Sequence, residues 1–291
     1  MKNYIILIPI FNDWKSAFKL IENIDDIVKD KKDKFSILLI NDGSTEETST
    51  LISNVNNINS IKILNLIKNG GHGQAIATGL KYINDNINFD YAIPMDGDGE
   101  DRPEEILEFV KLINDSSPEV ITAVRIKRSE SLVFKVCYQI HKIVTLLLSG
   151  HLVKFGNYSC LSKKSVEQLV SSGSIWLSYS GAVTKNFPST LSIPSIRGVR
   201  YFGPSKMNFF NLVKHSLKIS AVFKESVFIR SALLVLLLSL LSYYVSSYFL
   251  IACLFTWIFM LIIFFLSKND DTKLVQKSSE NIQDIVTLYQ K

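Results

Sequence analysis

The chain has 291 residues, which is enough for one sizeable soluble domain and a smaller additional part. Hydrophobic residues make up 47% of it, and the mean hydropathy is +0.20, so a wholly soluble protein is disfavoured and a membrane-associated part is expected. The net charge is +5, and the 3 cysteines have neither metal-ligand spacing nor the pattern of a disulfide framework. This cysteine usage fits a reduced, cytoplasmic domain.

The first 125 residues alternate short β-branched runs with helical stretches, which is typical of βαβ units and predicts an α/β fold with a mainly parallel sheet. The predicted strands are Tyr4–Pro9, Phe35–Ile40, Ile61–Leu66, Tyr91–Pro94 and Val120–Val124. Ligands of open α/β sheets bind at the carboxyl ends of the strands. The loops expected to carry function are therefore residues 9–13, 41–46, 69–75 and 95–103.

The loop after the fourth strand is the most informative, because it holds four carboxylates within six residues: Asp96, Asp98, Glu100 and Asp101. Like charges this close need a divalent metal, basic partners or altered protonation. A hard cation such as Mg²⁺ takes carboxylate and phosphate oxygens, which favours Asp96 and Asp98 as ligands and Glu100 as a further one. For Asp101 two interpretations stay open: a separate functional role, or a cap of the helix that begins at Pro103.

Two other loops carry turn chemistry just past strand ends. In Asn41-Asp42-Gly43-Ser44-Thr45, helix capping explains the hydroxyls, whereas Asp42 is available to accept a hydrogen bond from a nucleobase or ribose. The backbone amides of Asn69-Gly70-Gly71-His72-Gly73 precede a helix and could face an anion. The loop lacks the dinucleotide-binding glycine pattern, and His72 is favoured as a polar loop residue over a catalyst.

Basic residues follow the fifth strand, and they are either solvated charge or ligands of a phosphate. Both interpretations stay open for Arg125, whereas solvation is favoured for Lys127. Further on, helices are predicted at Leu132–Leu148, Lys163–Ser171 and Trp176–Phe187, followed by a strand region at Leu191–Tyr201.

The C-terminal third predicts a membrane anchor. No charge occurs in the 36 residues from Ser231 to Leu266, which is enough for two short helical passes at about 20 residues each. We expect the passes at Phe228–Tyr244 and Tyr248–Leu266. The preceding segment, 197–230, has a net charge of +6, which places this flank and the tail on the cytoplasmic side.

The segment from Ser205 to Phe223 is amphipathic at helical spacing. Lysines occupy one part of its circumference and apolar side chains another, as in a helix that lies in the membrane interface. An ordinary packed helix of the soluble domain is the alternative. The predicted domains are residues 1–204, an interface helix at 205–226, a transmembrane hairpin at 227–267 and a cytoplasmic tail at 268–291.

Taken together, these motifs resemble the inverting GT-A glycosyltransferases of family 2. The resemblance rests on Pro9-Ile10-Phe11-Asn12, on Asn41-Asp42-Gly43-Ser44, on Asn69-Gly70-Gly71 and on the run from Asp96 to Pro103. Arg125, the segment from Arg200 to Met207 and the two apolar helices are similar to those of polyprenyl-phosphate sugar synthases.

The resemblance implies a UDP- or GDP-linked sugar as donor, bound near Pro9, Asn12, Asp42, Gly71 and Asp96. It implies Mg²⁺ or Mn²⁺ held by Asp96, Asp98 and Glu100, with catalytic roles for Asp98, Asp101 and Arg125. The acceptor would be a membrane polyprenyl phosphate held by Arg125, Arg128, Arg200 and Lys206. No nucleic-acid partner is expected, and self-association is left open.

One departure from the family concerns the acceptor side. Asn157 stands where members often place an aspartate, and an amide cannot remove a proton. A phosphate monoester, with a second pKa near ~6, is already largely anionic and hardly needs a base, so the departure favours lipid phosphate as the acceptor. A hydroxyl acceptor on a glycan or lipid-linked saccharide and a non-catalytic membrane scaffold are the alternatives.

Overall fold

The computed structural model describes residues 1–46, 55–127, 143, 145–204 and 209–291. Within these ranges eight strands form one mixed sheet in the order β7-β5-β6-β4-β1-β2-β3-β8. The strands are β1 (Asn3–Ile10), β2 (Lys34–Asn41), β3 (Ser60–Leu66), β4 (Tyr91–Pro94), β5 (Val120–Lys127), β6 (Phe155–Ser162), β7 (Leu191–Ile196) and β8 (Ile282–Gln290).

The centre of the sheet is parallel, as the sequence predicts. β1 pairs in parallel with β2 and β4, and β2 pairs in parallel with β3. Tyr4, Ile6 and Ile8 of β1 belong to the core on one face of the sheet, and Ile5 and Leu7 belong to the core on the other. Burial on both faces explains why these strands read as continuous apolar runs.

Helices cover both faces. The α-helices of the described residues include α1 (Trp14–Val28), α2 (His72–Asn86), α3 (Ile106–Ser116), α4 (Lys163–Val170), α5 (Ser174–Leu177), α6 (Tyr179–Asn186), α7 (Phe209–Val222), α8 (Lys224–Tyr244), α9 (Phe249–Ser267) and α10 (Thr272–Gln276). Apolar residues of α1 and α3 join the first core, and those of α2, α4 and α6 join the second.

The single helix predicted at Trp176–Phe187 is wrong, because two short helices occupy this region. Ser178 has an extended backbone, with φ −157° and ψ 121°, which interrupts the helical path. Its side chain accepts a hydrogen bond from the amide of Gly181 and so begins the second helix.

Two strands were not predicted. β6 lies antiparallel between β4 and β5, which brings residues 155–162 into the middle of the sheet. β8 lies antiparallel along β3, so the segment expected to be a tail after residue 268 returns to the sheet and forms its edge. The sheet is therefore completed by residues that follow the apolar hairpin.

The apolar hairpin consists of α8 and α9, close to the predicted passes, with the turn at residues 245–248. Both helices are long and apolar enough to cross a membrane, and most of their surface is exposed. At their base Val227 and Ile263 pack with Leu177, Ile219 and Val222. This cluster joins the hairpin to α7 and to the α/β domain, and the placement of α7 at a membrane interface stays a prediction.

Some predictions fall outside the described residues. They concern Arg128, Lys206, most of the helix expected at Leu132–Leu148 and the start of the helix expected from Ser205.

Candidate functional site

The loops after β1, β2, β3 and β4 meet at one edge of the sheet, because parallel strands end there together. The predicted acidic residues lie at the centre of this edge. Each of their carboxylates faces a different basic or polar partner.

Asp101 is the most deeply buried of the four acids, with 2% of its surface exposed. Its carboxylate accepts hydrogen bonds from the backbone amide of Asp96 at 2.9 Å and from Arg125 at 3.2 Å. Burial and the neighbouring Asp96 raise the pKa of Asp101 to about 7. The helix beginning at Pro103 has no side-chain cap, so the capping interpretation is wrong and Asp101 instead closes the loop and holds Arg125.

Asp98 is bridged to the first loop by Arg200. Nη1 of Arg200 donates to Asp98 Oδ2 at 2.5 Å, and Nη2 donates to Asp13 Oδ2 at 2.6 Å. The other oxygen of Asp98 accepts from the amide of Glu100 at 2.9 Å. Burial and the charge of Asp96 nevertheless raise the pKa of Asp98 to about 6, which shows how crowded the carboxylates are.

Asp96 lies between His72 and Asn157. Its Oδ1 is 3.1 Å from Nε2 of His72, and Nδ2 of Asn157 donates to the same oxygen at 3.3 Å. Burial raises the pKa of Asp96, but His72 and Arg125 outweigh it and hold the pKa below its ordinary value. Asp96, Asp98 and Asp101 in turn raise the pKa of His72 against the effect of burial.

The segment after β7, residues 197–201, binds the acidic loop through an ion pair and backbone hydrogen bonds. Arg197 forms an ion pair with Glu100, and the amide of Gly198 donates to the carbonyl of Glu100 at 2.8 Å. The amide of Tyr201 donates to the carbonyl of Asp98 at 3.0 Å. Gly99 has φ +88°, and a Cβ there would lie 2.6 Å from the ring of Tyr201, so both the turn and the close packing require glycine.

The opposite wall of the site consists of the loops after β1, β2 and β3. Both oxygens of Asp42 accept backbone amides, from Gly70 at 2.8 Å and from Gly71 at 2.9 Å. Asn12 has φ +49°, and its Oδ1 accepts from the amide of Thr45 at 2.8 Å. Asp42 and Asn12 thus fix the shape of this wall; their contact with a donor, like that of Pro9, stays a prediction.

The donor atoms at the acidic loop suit a hard divalent cation, because they are carboxylate oxygens whose mutual repulsion a cation relieves. In the part of the chain that the structure describes, however, no three acidic or histidine side chains converge as a ready set of ligands. Glu100 is directed to Arg197, which differs from the predicted set of three carboxylates. Asp96 and Asp98, completed by ligand oxygens, fit such a cation best.

Several partners of the acids were missed in the sequence. The sequence places Asp13 only within the loop at residues 9–13 and Arg197 only within the basic segment 197–230, and it favours His72 as a polar loop residue. Asn157 was noted without its position on β6 beside Asp96 being predicted. The local signal was limited, because Asp13, His72 and Arg197 lie in segments that follow strand ends, whereas Asn157 lies within β6.

The fold is of the GT-A type, and a solved structure shares it. The structure of glucosyl-3-phosphoglycerate synthase from Mycobacterium tuberculosis, in complex with Mn²⁺, UDP-glucose and phosphoglyceric acid, superposes with a TM-score of 0.55. The superposition covers 78% of this chain and 80% of that one at 13% sequence identity, so it bears on the fold alone.

The sequence profile of glycosyl transferase family 2 matches residues 5–161, and the chain belongs to this family. An uncharacterized glycosyltransferase, YkcC, of Bacillus subtilis is 29% identical over 45% of this chain and 40% of its own length. Undecaprenyl-phosphate 4-deoxy-4-formamido-L-arabinose transferase of Salmonella choleraesuis is 28% identical over 55% of this chain and 48% of its own. The same enzyme of Photorhabdus laumondii is 24% identical over 73% and 65%. The chain thus spans about half the length of the first two relatives.

Proposed function

We propose that this chain transfers a sugar, with inversion, from a nucleoside diphosphate sugar to a polyprenyl phosphate at a membrane surface. One observation carries the proposal: a family 2 domain holds a partly buried acidic loop beside Arg125 and Arg200, and an apolar hairpin packs on that same domain. The names of relatives that act on undecaprenyl phosphate support the choice of acceptor.

The donor would lie against the wall made by Pro9, Asn12, Asp42 and Gly71. The amino terminus of α2 begins at His72, directly beside Asp96, and a helix amino terminus favours the negative charge of a diphosphate. The nucleobase of the donor would lie between the loops after β1 and β2. Hydrogen bonds between Asn12 and the loop after β2 already hold these two loops together. UDP-linked and GDP-linked sugars are both candidate donors.

Asp96 and Asp98 would hold Mg²⁺ or Mn²⁺, which when bound neutralises the charge of the diphosphate leaving group. Glu100 is a further candidate ligand, although it is paired with Arg197 in this structure. Asp101 keeps the loop closed and positions Arg125, whose guanidinium is available to stabilise negative charge on the phosphates.

A phosphate acceptor requires cationic side chains to bind it more than it requires a general base to remove a proton. A phosphate monoester with a second pKa near ~6 is already a nucleophile at neutral pH, whereas a sugar hydroxyl requires proton removal. Asn157 and His72 stand beside Asp96 where a carboxylate base would otherwise be expected. Arg125 and Arg200 are proposed to bind the acceptor phosphate together with Arg128 and Lys206.

The membrane part of the proposal rests on α8 and α9. Their apolar side chains are largely exposed, which suits contact with lipid rather than with a protein core. The basic flank before α8 favours a catalytic domain on the cytoplasmic face, with α7 in the interface.

The full chain, purified in lipid nanodiscs, tests the proposal. It is incubated with UDP- and GDP-linked sugars, Mn²⁺ or Mg²⁺ and either a polyprenyl phosphate or a hydroxyl acceptor. Sugar transfer to the lipid phosphate supports the proposal. Transfer only to the hydroxyl acceptor replaces it with the second enzymatic alternative, and absence of nucleotide binding by calorimetry favours a scaffold.

A further inference from the structure

Three side chains connect the edge strand β8 to the loop that follows β2. Nδ2 of Asn65 donates to Asp284 Oδ1 at 2.5 Å, and Nδ2 of Asn41 donates to Asn65 Oδ1 at 2.8 Å. Oδ1 of Asn41 then accepts the backbone amide of Ser44 at 3.0 Å. The strand register places Asn41 opposite Asn65 and Asn65 opposite Asp284, so the three form a cross-strand row that we call the amide relay.

Both ends of the amide relay have a fixed polarity. A carboxylate only accepts and a backbone N–H only donates, whereas a primary amide can turn either way. Asp284 therefore directs the nitrogen of Asn65 towards itself and the oxygen towards Asn41. Asn41 in consequence presents its own oxygen to the amide of Ser44.

The relay ends on the wall that is proposed to receive the donor. Ser44 Oγ accepts from the backbone amide of Asn12 at 3.0 Å, and Asn12 Oδ1 accepts from the amide of Thr45. Orientation of Ser44 therefore also orients the strained turn at Asn12, where φ is +49°.

The segment just before β8 holds the neighbouring loop in the same manner. Asn281 Oδ1 accepts the amide of Lys68 at 3.1 Å, and its Nδ2 donates to the carbonyl of Lys68 at 3.0 Å. This loop continues to Gly70 and Gly71, whose amides bind Asp42. Two loops of the wall are thus fastened to residues that follow the hairpin.

We propose that Asp284 is a positioning residue for the donor site, acting through Asn65 and Asn41 on the loop at residues 41–46. The strand after the apolar hairpin thereby supports the donor wall from behind, through hydrogen bonds rather than by lining it. The proposal rests on the proposed function for the identity of the ligand, but the hydrogen-bond relay can be tested without it.

The test compares variants of the full chain in nanodiscs by hydrogen–deuterium exchange of the segment 41–46. Asp284→Ala removes the acceptor, Asp284→Lys replaces it with a donor, and Asp284→Asn keeps an acceptor. For the alanine variant we expect about fivefold faster exchange, since one hydrogen bond is lost. The lysine variant should exchange faster still, and the asparagine variant should differ little from wild type. Thr287→Ala in the same strand is the control, and exchange in α3 reports whether each variant is folded.

A second pair of variants tests the polarity. Asn65→Asp alone sets two carboxylates against each other, and because their repulsion displaces the group that accepts from Asn41, it is expected to speed exchange at 41–46. The double variant Asn65→Asp with Asp284→Asn lets the new amide donate to the new carboxylate, so protection should return. Unchanged exchange in Asp284→Ala and Asp284→Lys, or no recovery in the double variant, would overturn the relay.

The ligand readout is the dissociation constant for UDP or GDP with Mn²⁺. In Asp284→Ala we expect it to rise about fivefold, in step with the exchange, with asparagine close to wild type. Faster exchange without weaker binding would overturn the positioning role. If wild-type protein binds neither nucleotide, the proposed function fails and the positioning role with it, while the exchange data still decide the relay.

Discussion

Arg200 and Asp98 form an ion pair of 2.5 Å at the centre of the site, and the same guanidinium reaches Asp13 at 2.6 Å. Two acids from separate loops therefore share one cation, which is only 14% exposed. The sequence indicated Arg200 as a ligand of the acceptor phosphate. In the structure it lies among the acids, so a phosphate that bound it would compete with Asp98 and Asp13.

The first prediction concerns this bridge. Arg200→Ala leaves both acids without their cation, and we expect transfer to fall about 10- to 100-fold, since hydrogen bonds between charged groups contribute about 1.5–3 kcal/mol. Arg200→Lys keeps the charge but loses the two-point geometry, so its loss should be intermediate. Initial rates with a fixed donor measure the effect. Lys164→Ala, which removes an exposed ion pair with Glu119 away from the site, is the control, and equal rates for both alanine variants would contradict the prediction.

The second prediction concerns Asp98 as a metal ligand. Asp98→Asn keeps the shape of the side chain but removes its charge, so we expect nucleoside diphosphate binding to lose its dependence on Mn²⁺ and transfer to fall at least about 100-fold. Calorimetry with UDP and GDP, with and without Mn²⁺, measures the first effect. Asp115→Asn, an exposed position at the end of α3, should behave as wild type. Undiminished metal-dependent binding in the Asp98 variant would show that the metal is held elsewhere.

The sequence predicted the strands correctly where consecutive residues are buried. The five predicted strands are confirmed because their residues are buried on both faces, which produces an apolar run that is legible without tertiary structure. The acidic loop could be placed at the edge of the sheet for the same reason. Its position follows directly from the end of β4.

The partners of the acids could not be predicted in this way. His72 and Arg200 reach Asp96 and Asp98 only because distant parts of the chain meet at one edge. β8 was missed because its sequence, IQDIVTLYQ, is neither strictly alternating nor a continuous apolar run, and its residues are mostly exposed, as in a tail. Its partner β3 precedes it by more than 200 residues, so pairing depends on the return of the chain after the hairpin.

The third prediction concerns the topology of the hairpin. Helices of 21 and 19 residues extend about 30 Å at 1.5 Å per residue, so the turn between them should reach the far side of the bilayer. Tyr243, Tyr244 and Tyr248 at this turn are strongly exposed, as expected at a membrane–water interface.

Labelling of intact cells checks this topology. A cysteine introduced by Ser246→Cys should react with a membrane-impermeant maleimide added outside. Ser279→Cys, exposed in the segment before β8, should react only after permeabilisation, and the wild-type chain gives the background from native cysteines. Labelling of both positions from the same side would rule out a hairpin that spans the bilayer.

The fourth prediction concerns the stability of the α/β domain. Asp25 in α1 is 4% exposed, and its carboxylate accepts the backbone amides of Asn56, Asn57 and Ile58. Asp25→Ala leaves these donors without their acceptor, and we expect a loss of about 3 kcal/mol in the free energy of unfolding. Thermal unfolding should show a lower midpoint. The neighbouring Asp26 is exposed, so Asp26→Ala should leave the midpoint unchanged, and an equal shift in both variants would contradict this account.

The fifth prediction concerns the junction between the hairpin and the domain. A Cβ on Gly173 would lie 2.5 Å from the backbone nitrogen of Asp271, just past the end of α9. Because a backbone atom cannot turn aside like a flexible side chain, Gly173→Ala should displace the segment that leads to β8 and cost about 1–3 kcal/mol. Faster hydrogen–deuterium exchange in β8, together with a lower unfolding midpoint, measures this effect. Gly73→Ala is the control, since a Cβ there meets no atom within 4 Å. Equal exchange of β8 in the two variants would contradict the prediction that close packing at Gly173 holds the segment before β8 against the domain.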